Sequence, residues 1–167
     1  MTWLAISGSW RYAPPGLSDA VRREVVAALA AGKRIVTGGA LGVDYWATEM
    51  TLSIDPARLK VILPTSLTTY AAHYRRRAAE GVVSAEQAED LIRQLETVAR
   101  AGGLVEHPER PQVVDVTTYY LRNQDVVNVA DELVAFQVNA SGGTQDTVDR
   151  AQLKGIPVTV FTYRAPE

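Results

Sequence analysis

The chain has 167 residues, a formal net charge of -2 and no cysteine. This length is typical of one domain with a sizeable core, so we expect residues 1–167 to form a single domain. A slightly acidic chain has no global positive field for non-specific nucleic-acid binding. Without cysteine there are no disulfides or thiolate ligands, and only two histidines leave little for a zinc site, so we expect neither a metal nor a cofactor.

The first residues predict a strand and not a targeting segment. Residues 1–6, Met-Thr-Trp-Leu-Ala-Ile, lack the basic start and the longer apolar run of a signal peptide. No apolar run elsewhere approaches the length of a membrane span. We therefore expect a soluble, cytoplasmic protein with no membrane partner.

Short apolar runs alternate with helical patterns along the chain. The predicted strands are residues 3–6, 33–37, 59–63, 132–136 and 158–161. The predicted helices are residues 17–29, 45–52, 70–80, a helix after the capping box at 84–87 that ends at 102, residues 117–129, and a helix that begins at 145. Strands that alternate with helices pair in parallel through right-handed crossovers. We therefore predict a Rossmann-like α/β fold, a doubly wound and mostly parallel sheet of about five strands flanked by helices, with a helical insert at about 70–110.

Small polar turns follow the first, second and fourth predicted strands. They are Ser7-Gly8-Ser9, Gly38-Gly39 and Ser141-Gly142-Gly143-Thr144. With the strand order 3-2-1-4-5, these turns would surround one cleft at the carboxyl ends of the strands. Glycines let the backbone approach a ligand, and the free N–H groups of a following helix bind anions. The sequence therefore predicts a phosphate-bearing ligand, with Thr144 capping the last helix or contacting the anion; an ordinary strand-to-helix turn is the alternative.

Four segments together resemble the SLOG superfamily, which joins the Rossmann-like domain of DNA-processing protein A (the Smf proteins) with the LOG nucleotide phosphoribohydrolases. They are Ser7-Gly8-Ser9, the run Thr-Gly-Gly-Ala-Leu-Gly-Val-Asp at 37–44, Arg122-Asn123, and Ser141-Gly142-Gly143-Thr144. The resemblance covers roughly residues 3–161 and fits least well in the helical insert. It implies a nucleotide or nucleotide-derived ligand in the cleft and a homodimer.

The LOG enzymes cleave an N-glycosidic bond in a nucleoside monophosphate with an arginine ahead of the fourth strand and a glutamate in a Pro-Gly-Gly-x-Gly-Thr-x-x-Glu motif. Arg122 matches that arginine, but Thr147 stands where the glutamate should be. Because such cleavage needs a carboxylate near the sugar, Asp146 or Asp44 could substitute. The resemblance thus implies catalytic roles for Arg122, Asp146 and Asp44, and it leaves hydrolase and sensor both open. Either aspartate also suits the first turn of a helix.

Two residues beyond the turns extend the predicted binding site. Arg11 follows Trp10 after the first turn, so that an arginine could hold a phosphate while a tryptophan stacks on a base. Asn123 lies on a helix that should run towards the cleft. The predicted ligand-binding residues are Ser7, Gly8, Ser9, Arg11, Gly38, Gly39, Asn123, Ser141, Gly142, Gly143 and Thr144.

The competing prediction is a single-stranded DNA-binding protein related to DNA-processing protein A. Arg75, Arg76 and Arg77 lie beside Tyr70 and Tyr74 in sequence, and charge beside aromatic rings is typical of surfaces that bind single strands. Three consecutive arginines also suit an ordinary solvated helix face. The acidic balance counts against DNA, so a nucleic acid is the second choice of partner after a small nucleotide.

Overall fold

The structure, a computed structural model, describes residues 1–166 and contains a six-stranded, fully parallel sheet between two layers of helices. The strands are β1 Trp3–Gly8, β2 Arg34–Thr37, β3 Leu59–Ile62, β4 Leu104–Val105, β5 Glu132–Val138 and β6 Val158–Tyr163. The helices are α1 Leu17–Ala30, α2 Val43–Ile54, α3 Leu67–Ala79, α4 Ala85–Arg100, α5 Val116–Val129 and α6 Gly142–Lys154, with a short 3₁₀ helix at Pro56–Arg58. The predicted Rossmann-like, doubly wound α/β fold is confirmed.

The sheet has one strand more than the five that the sequence predicts. Its order is β4-β3-β2-β1-β5-β6, and the additional strand β4 pairs with β3 through Val61↔Leu104 and Ile62↔Val105. Two residues are too few to show a strand pattern in a sequence. The other five strands have the predicted order 3-2-1-4-5, so β1 and β5 are neighbours and the strand order reverses between them.

Two apolar layers cover the sheet. Helices α1 to α4 pack on one face, where Ile6 and Leu17 are fully buried, and α5 and α6 pack on the other, where Val127 and Ala151 are fully buried. Each large apolar side chain buried in this way stabilises the fold by about 1.5–3 kcal/mol. Among residues 1–166, no helix combines the length and the apolar content that a membrane crossing needs.

Helix α6 begins three residues earlier than predicted. Ser141 occupies the N-cap position without a side-chain cap bond, and its Oγ donates to Oγ1 of Thr144 at 2.8 Å. Thr144 lies inside the first turn and is buried, so it does not cap the helix, which was one of its two predicted roles. Gly142 and Gly143 therefore carry the first free N–H groups of α6.

A tight turn directs α6 back over the sheet. Asn139 and Ala140 both have φ of 52°, and Ser141 N donates to the carbonyl of Val138 at 3.1 Å. Two consecutive left-handed residues are typical of a type I′ turn, in which alanine costs about 1–2 kcal/mol. The Asn139 side chain also pairs with the backbone N and O of Ala165 at 2.9 and 2.8 Å. These contacts hold the strained turn in place.

Candidate phosphate-binding cleft

A cleft of about 860 Å³ opens beyond the carboxyl ends of β1 and β5, where the strand order reverses. This volume lies in the range of small-molecule sites. All of the predicted site residues line the cleft except Gly39 and Asp146. Those that line it are Ser7, Gly8, Ser9, Arg11, Gly38, Asp44, Arg122, Asn123, Ser141, Gly142, Gly143 and Thr144.

Arg122 of α5 lies in the cleft with only 8% of its surface exposed. Its Nε donates to Oδ1 of Asn123 at 3.1 Å, and its Nη1 donates to the carbonyl of Gly38. The guanidinium fits there because Gly38 has no side chain: a Cβ at that position would lie 2.7 Å from Nη1. Within residues 1–166, Nη2 has no hydrogen-bond partner, so one edge of the guanidinium is available to an anion.

The surroundings of Arg122 keep its charge fixed. Burial acts to lower the pKa of Arg122, but the negative charges that Tyr70, Asp44 and Tyr119 carry once they ionise outweigh it, and the pKa of Arg122 is raised. Its Cζ also lies 5.3 Å from the centre of the Tyr119 ring, a cation–π distance. Burial raises the pKa of Tyr70, so this tyrosine stays neutral beside the guanidinium. Arg122 therefore places a permanent positive charge in a defined position of the cleft.

Asp44 is a buried carboxyl group in the cleft, in the first turn of α2 and 6% exposed. Its Oδ2 accepts a hydrogen bond from Ala40 N at 3.2 Å. Burial raises the pKa of Asp44, against the opposing effects of Arg122 and of the backbone N–H groups of Ala40 and Gly38. A carboxyl group whose pKa moves towards neutrality is suited to exchanging a proton with a ligand.

The first turn of α6 forms the opposite side of the cleft. A Cβ on Gly142 or Gly143 would have no atom within 4 Å, so both glycines face open space. Ser141 makes no cap bond, which leaves the first N–H groups of the helix and its positive dipole end directed at the cleft. Backbone donors at a helix start are a common phosphate site, and Arg122 adds a side-chain cation to this one.

No protein-family model and no curated protein matches the sequence, but several solved structures are similar. The DNA processing protein A of Helicobacter pylori, described for its single-stranded DNA binding mode, has a TM-score of 0.74 and 22% identity over 99% of this chain and 67% of that chain. The DNA processing protein A (DprA) of Streptococcus pneumoniae has a TM-score of 0.62 and 19% identity over 95% and 50%. A structure named TM1055 has a TM-score of 0.56 and 16% identity over 95% of this chain and 72% of that chain.

The chain shares its fold with DNA processing protein A, which agrees with the predicted resemblance at the level of the fold. The chain spans about two thirds of the length of the H. pylori protein and half that of the S. pneumoniae protein. Identities of 16–22% show a shared fold alone, so an activity has to be argued from the cleft itself.

Of the two neighbouring residues Asp146 and Thr147, only the threonine lies in the cleft. Thr147, at the position of the LOG glutamate, lines the cleft and is 2% exposed, and its Oγ1 donates to the carbonyl of Gly143 at 3.3 Å. Asp146 lies outside the cleft lining, and its Oδ2 accepts from Asn123 Nδ2 at 3.0 Å and from Arg150 Nε at 2.8 Å. Asp44 is therefore better placed than Asp146 for a role at the ligand.

Gly39 also lies outside the cleft lining. Its φ is 72°, and a Cβ there would lie 2.8 Å from Cδ2 of Leu63 and 3.0 Å from Cγ1 of Val61. Its carbonyl accepts a hydrogen bond from the hydroxyl of Tyr70 at 3.0 Å. Gly39 thus packs against the apolar core, while its neighbour Gly38 lines the cleft.

The turn after β1 places an aromatic ring and a cation at the cleft rim. Trp10 is 43% exposed and Arg11 is also exposed. The Cζ of Arg11 lies 5.9 Å from the centre of the Trp10 ring and 5.8 Å from that of Tyr12. Oγ of the buried Ser9 accepts the Arg11 N–H at 3.4 Å. A ligand base could therefore stack on Trp10 at the rim.

The α3 surface that the sequence offers for single-stranded DNA keeps its charges but not its aromatic rings. Tyr70 is fully buried and Tyr74 is 6% exposed, because their i, i+4 spacing on α3 points both rings at the core. Arg75, Arg76 and Arg77 are exposed, and Arg75 pairs with Glu89 at 2.9 Å. These two tyrosines therefore cannot stack on bases from α3, although Arg77 lines the cleft.

Sequence reasoning missed the wall that the helical insert and the start of α5 add to the cleft. The missed residues that line it are His73, Tyr74, Arg77, Val82, Val83, Val114, Asp115, Val116, Tyr119 and Tyr120. One signal was available: Tyr119 and Arg122 are three residues apart on a predicted helix, a spacing at which side chains meet. No local pattern indicates that the insert packs over the strand ends.

Proposed function

We propose that the cleft binds a nucleotide or a nucleotide-derived ligand through a phosphate group. The observation that carries this proposal is that Arg122, with Nη2 unpaired in the described chain, and the open first turn of α6 line the same cleft. A planar guanidinium and a set of backbone N–H groups are the donors that phosphate oxygens prefer. Gly142 and Gly143 leave space for the phosphate between them.

The rest of the cleft supports a ligand larger than a phosphate ion. Its volume of about 860 Å³ would hold a base and a sugar as well as the phosphate. Trp10 offers an exposed ring for stacking, and Tyr119 and Tyr120 also line the cleft. We assign the phosphate to the α6 side and the base to the rim.

Thermal unfolding of the protein with a panel of ligands tests the proposal. The panel contains AMP, other nucleoside monophosphates, ADP-ribose, NAD and a short oligo-thymidine, and a ligand bound only by the native state raises the melting temperature. We expect a mononucleotide or ADP-ribose to raise it, and adenosine without phosphate to have little effect. An increase with adenosine equal to that with AMP would contradict a phosphate site.

Hydrolysis of the N-glycosidic bond of the bound nucleotide is the enzymatic form of the proposal. Water would add to the anomeric carbon as the bond to the base breaks, giving the free base and ribose 5-phosphate. In its protonated form, which the raised pKa favours, Asp44 would give its proton to the leaving base and recover one from the attacking water. Thr147 has no carboxyl group for this step, and the carboxylate of Asp146 already binds Asn123 and Arg150.

Replacing Asp44 with asparagine is expected to stop base release, by about a hundredfold or more, because asparagine cannot supply a proton. AMP affinity should change little, since the asparagine oxygen can still accept from Ala40 N.

The folded-state pKa of Asp44 is raised, so the native protein loses stability as pH rises from the ordinary aspartate range to that raised pKa. The variant should lack this loss. Chromatography of released adenine and urea unfolding across acidic and neutral pH measure both effects.

Two outcomes separate the enzymatic form from binding alone. Base release by the Asp44→Asn variant at the native rate would remove Asp44 from the mechanism. AMP binding without base release by the native protein would make the protein a nucleotide sensor, with the binding proposal intact.

A single strand of DNA is the second candidate ligand. It is favoured by the fold shared with DNA processing protein A, whose H. pylori form is described as binding single-stranded DNA. Arg11, Arg77 and Arg122 line the cleft and could hold successive phosphates. A melting-temperature increase with oligo-thymidine alone, lost steeply as salt is raised, would favour DNA over a free nucleotide.

We also propose that the protein is a homodimer, paired through the free edge of β6. This strand is the outermost of the sheet, contains no charged residue, proline or glycine, and leaves Val160 and Phe161 each 38% exposed. Monomeric proteins usually protect such an edge with charges or proline.

A cytoplasmic location, where nucleotides are abundant, fits the proposed ligand and stays a prediction.

Light scattering of the purified protein is expected to give twice the chain mass, and Val160→Lys is expected to give the single-chain mass at the same concentration. A lysine on the outermost strand opposes edge-to-edge pairing through its charge. The matched control is Val26→Lys on α1, which is also exposed. A native protein with the single-chain mass, or a dimer in the Val160→Lys variant, would contradict pairing through β6.

A further inference from the structure

Asn123 joins the two halves of the proposed phosphate site. Its Oδ1 accepts a hydrogen bond from Nε of Arg122 at 3.1 Å. Its Nδ2 donates to Oδ2 of Asp146 at 3.0 Å and lies 3.4 Å from the carbonyl oxygen of Gly143. Asn123 itself is 7% exposed. One buried amide group thus contacts both the cleft cation and the first turn of α6.

The chemistry of its neighbours requires an amide at this position. Nε of Arg122 can only donate, whereas the ionised carboxylate of Asp146 can only accept. Asparagine carries one acceptor and one donor on the same short branch, so it satisfies both at once. A carboxylate at position 123 would still accept from Arg122 but would face the negative charge of Asp146.

The contacts continue one turn further along α6 and return to α5. Arg150 Nε donates to Oδ2 of Asp146 at 2.8 Å, and Arg150 Nη1 donates to Oε1 of Gln124 at 2.9 Å. Asp146 is therefore held between Asn123 on one side and Arg150 on the other. This pairing fixes the carboxylate, and with it the first turn of α6, relative to α5.

We propose that Asn123 is a positioning residue that sets the spacing between the guanidinium of Arg122 and the first turn of α6, and so tunes the cleft to the size of a phosphate group. The inference rests on the proposed function, because it assigns the phosphate to these two elements. Asn123 itself contacts no ligand in this account, since both atoms of its amide are already bonded within the protein.

An exchange of functional groups between positions 123 and 146 tests this role. N123D is expected to weaken the binding of AMP and of inorganic phosphate about tenfold, because two carboxylates then face each other and the turn moves. D146N alone should have little effect, since its oxygen can still accept. The double variant N123D/D146N restores one donor and one acceptor, so its affinity should return to within about twofold of the native value. N128D, the same change at an exposed position of α5, is the control.

The affinity for adenosine separates positioning from general stability. None of these variants should change it, because the base and the sugar lie away from Asn123 in this account. If N123D does not fold, N123A serves in its place and is expected to weaken AMP binding to a similar degree. Failure of D146N to rescue a folded N123D protein, or an equal loss in N128D, would overturn the proposal.

A measurement without ligand keeps this inference separate from the proposed function. The Arg122 Nε–H signal in a ¹⁵N–¹H spectrum should move in N123D and return towards its native position in N123D/D146N. If the native protein binds neither AMP nor phosphate, the proposed function fails, while this spectrum still tests the coupling. An Arg122 signal that is unchanged in N123D would overturn the coupling even if AMP binds.

Discussion

Replacing Arg122 with methionine is expected to weaken AMP binding by about a hundredfold. Methionine is long and unbranched, so it can occupy the space between Gly38 and Tyr119 while removing the charge. A charge-assisted hydrogen bond to a phosphate in a partly buried site contributes about 1.5–3 kcal/mol, which corresponds to roughly tenfold to a hundredfold in affinity. The loss of a fixed cation that faces the same phosphate adds to this effect. Isothermal titration with AMP measures the change.

Arg122→Lys is the matched control for charge. Lysine keeps a positive charge but cannot donate at the same time to Asn123, to Gly38 and to a ligand in the geometry of a planar guanidinium. We therefore expect an intermediate loss of affinity. A folded methionine variant that binds AMP as tightly as the native protein would show that Arg122 only supports the loop after β2.

Arg122→Met should also shift the ionisation of Asp44. The positive charge of Arg122 opposes the rise that burial causes in the pKa of Asp44, so its removal should raise that pKa further. The carboxyl group then stays protonated over a wider pH range, and the energetic cost of burying an unpaired charge is avoided by neutralisation.

Gly143→Asp is expected to abolish measurable AMP binding while leaving the fold intact. A Cβ at position 143 meets no atom within 4 Å, so the side chain can project into the cleft without displacing the protein. Its negative charge would then occupy the place of the phosphate at the start of α6. An acidic residue in a first helical turn stabilises a helix by about 0.3–1 kcal/mol, so the melting temperature should stay the same or rise.

Gly143→Asn separates the charge of the new side chain from its size. Asparagine has nearly the volume of aspartate but no charge, so it should reduce AMP affinity less than aspartate does. If both variants bind AMP as the native protein does, the ligand does not approach the first turn of α6. If both lose binding equally, the position acts through space alone and the electrostatic part of the argument is wrong.

The sequence predicted the parts of the fold and the cleft that have short-range signals. The end of β1 and the turn after β5 are marked by glycines beside serines and threonine, and both segments line the cleft. Ser7 and Gly8, predicted as part of a turn, are the last two residues of β1. Largely apolar runs of four or five residues identified five strands, because parallel strands covered on both faces have few polar residues. The two-residue strand β4 has no such pattern and was missed.

Other features depend on how distant elements pack, and no local pattern encodes them. Gly38 and Gly39 are adjacent and identical in sequence, yet one lies against Arg122 and the other against Leu63. Asp146 was a reasonable catalytic candidate until α5 placed Asn123 beside it. A tertiary contact decided the position of the side chain in each case. Asp146 and Thr147 are consecutive on α6 and point in different directions, so Thr147 lines the cleft and Asp146 does not.

Titration of ¹⁵N-labelled protein with AMP tests the central claim most directly, because it reports which groups meet the ligand. The account predicts saturable shifts of the backbone N–H signals of Gly142, Gly143 and Thr144 and of the Arg122 Nε–H signal, with adenosine leaving these four unchanged. Shifts confined to other parts of the protein, or no shift at AMP concentrations in the millimolar range, would contradict a phosphate site in this cleft.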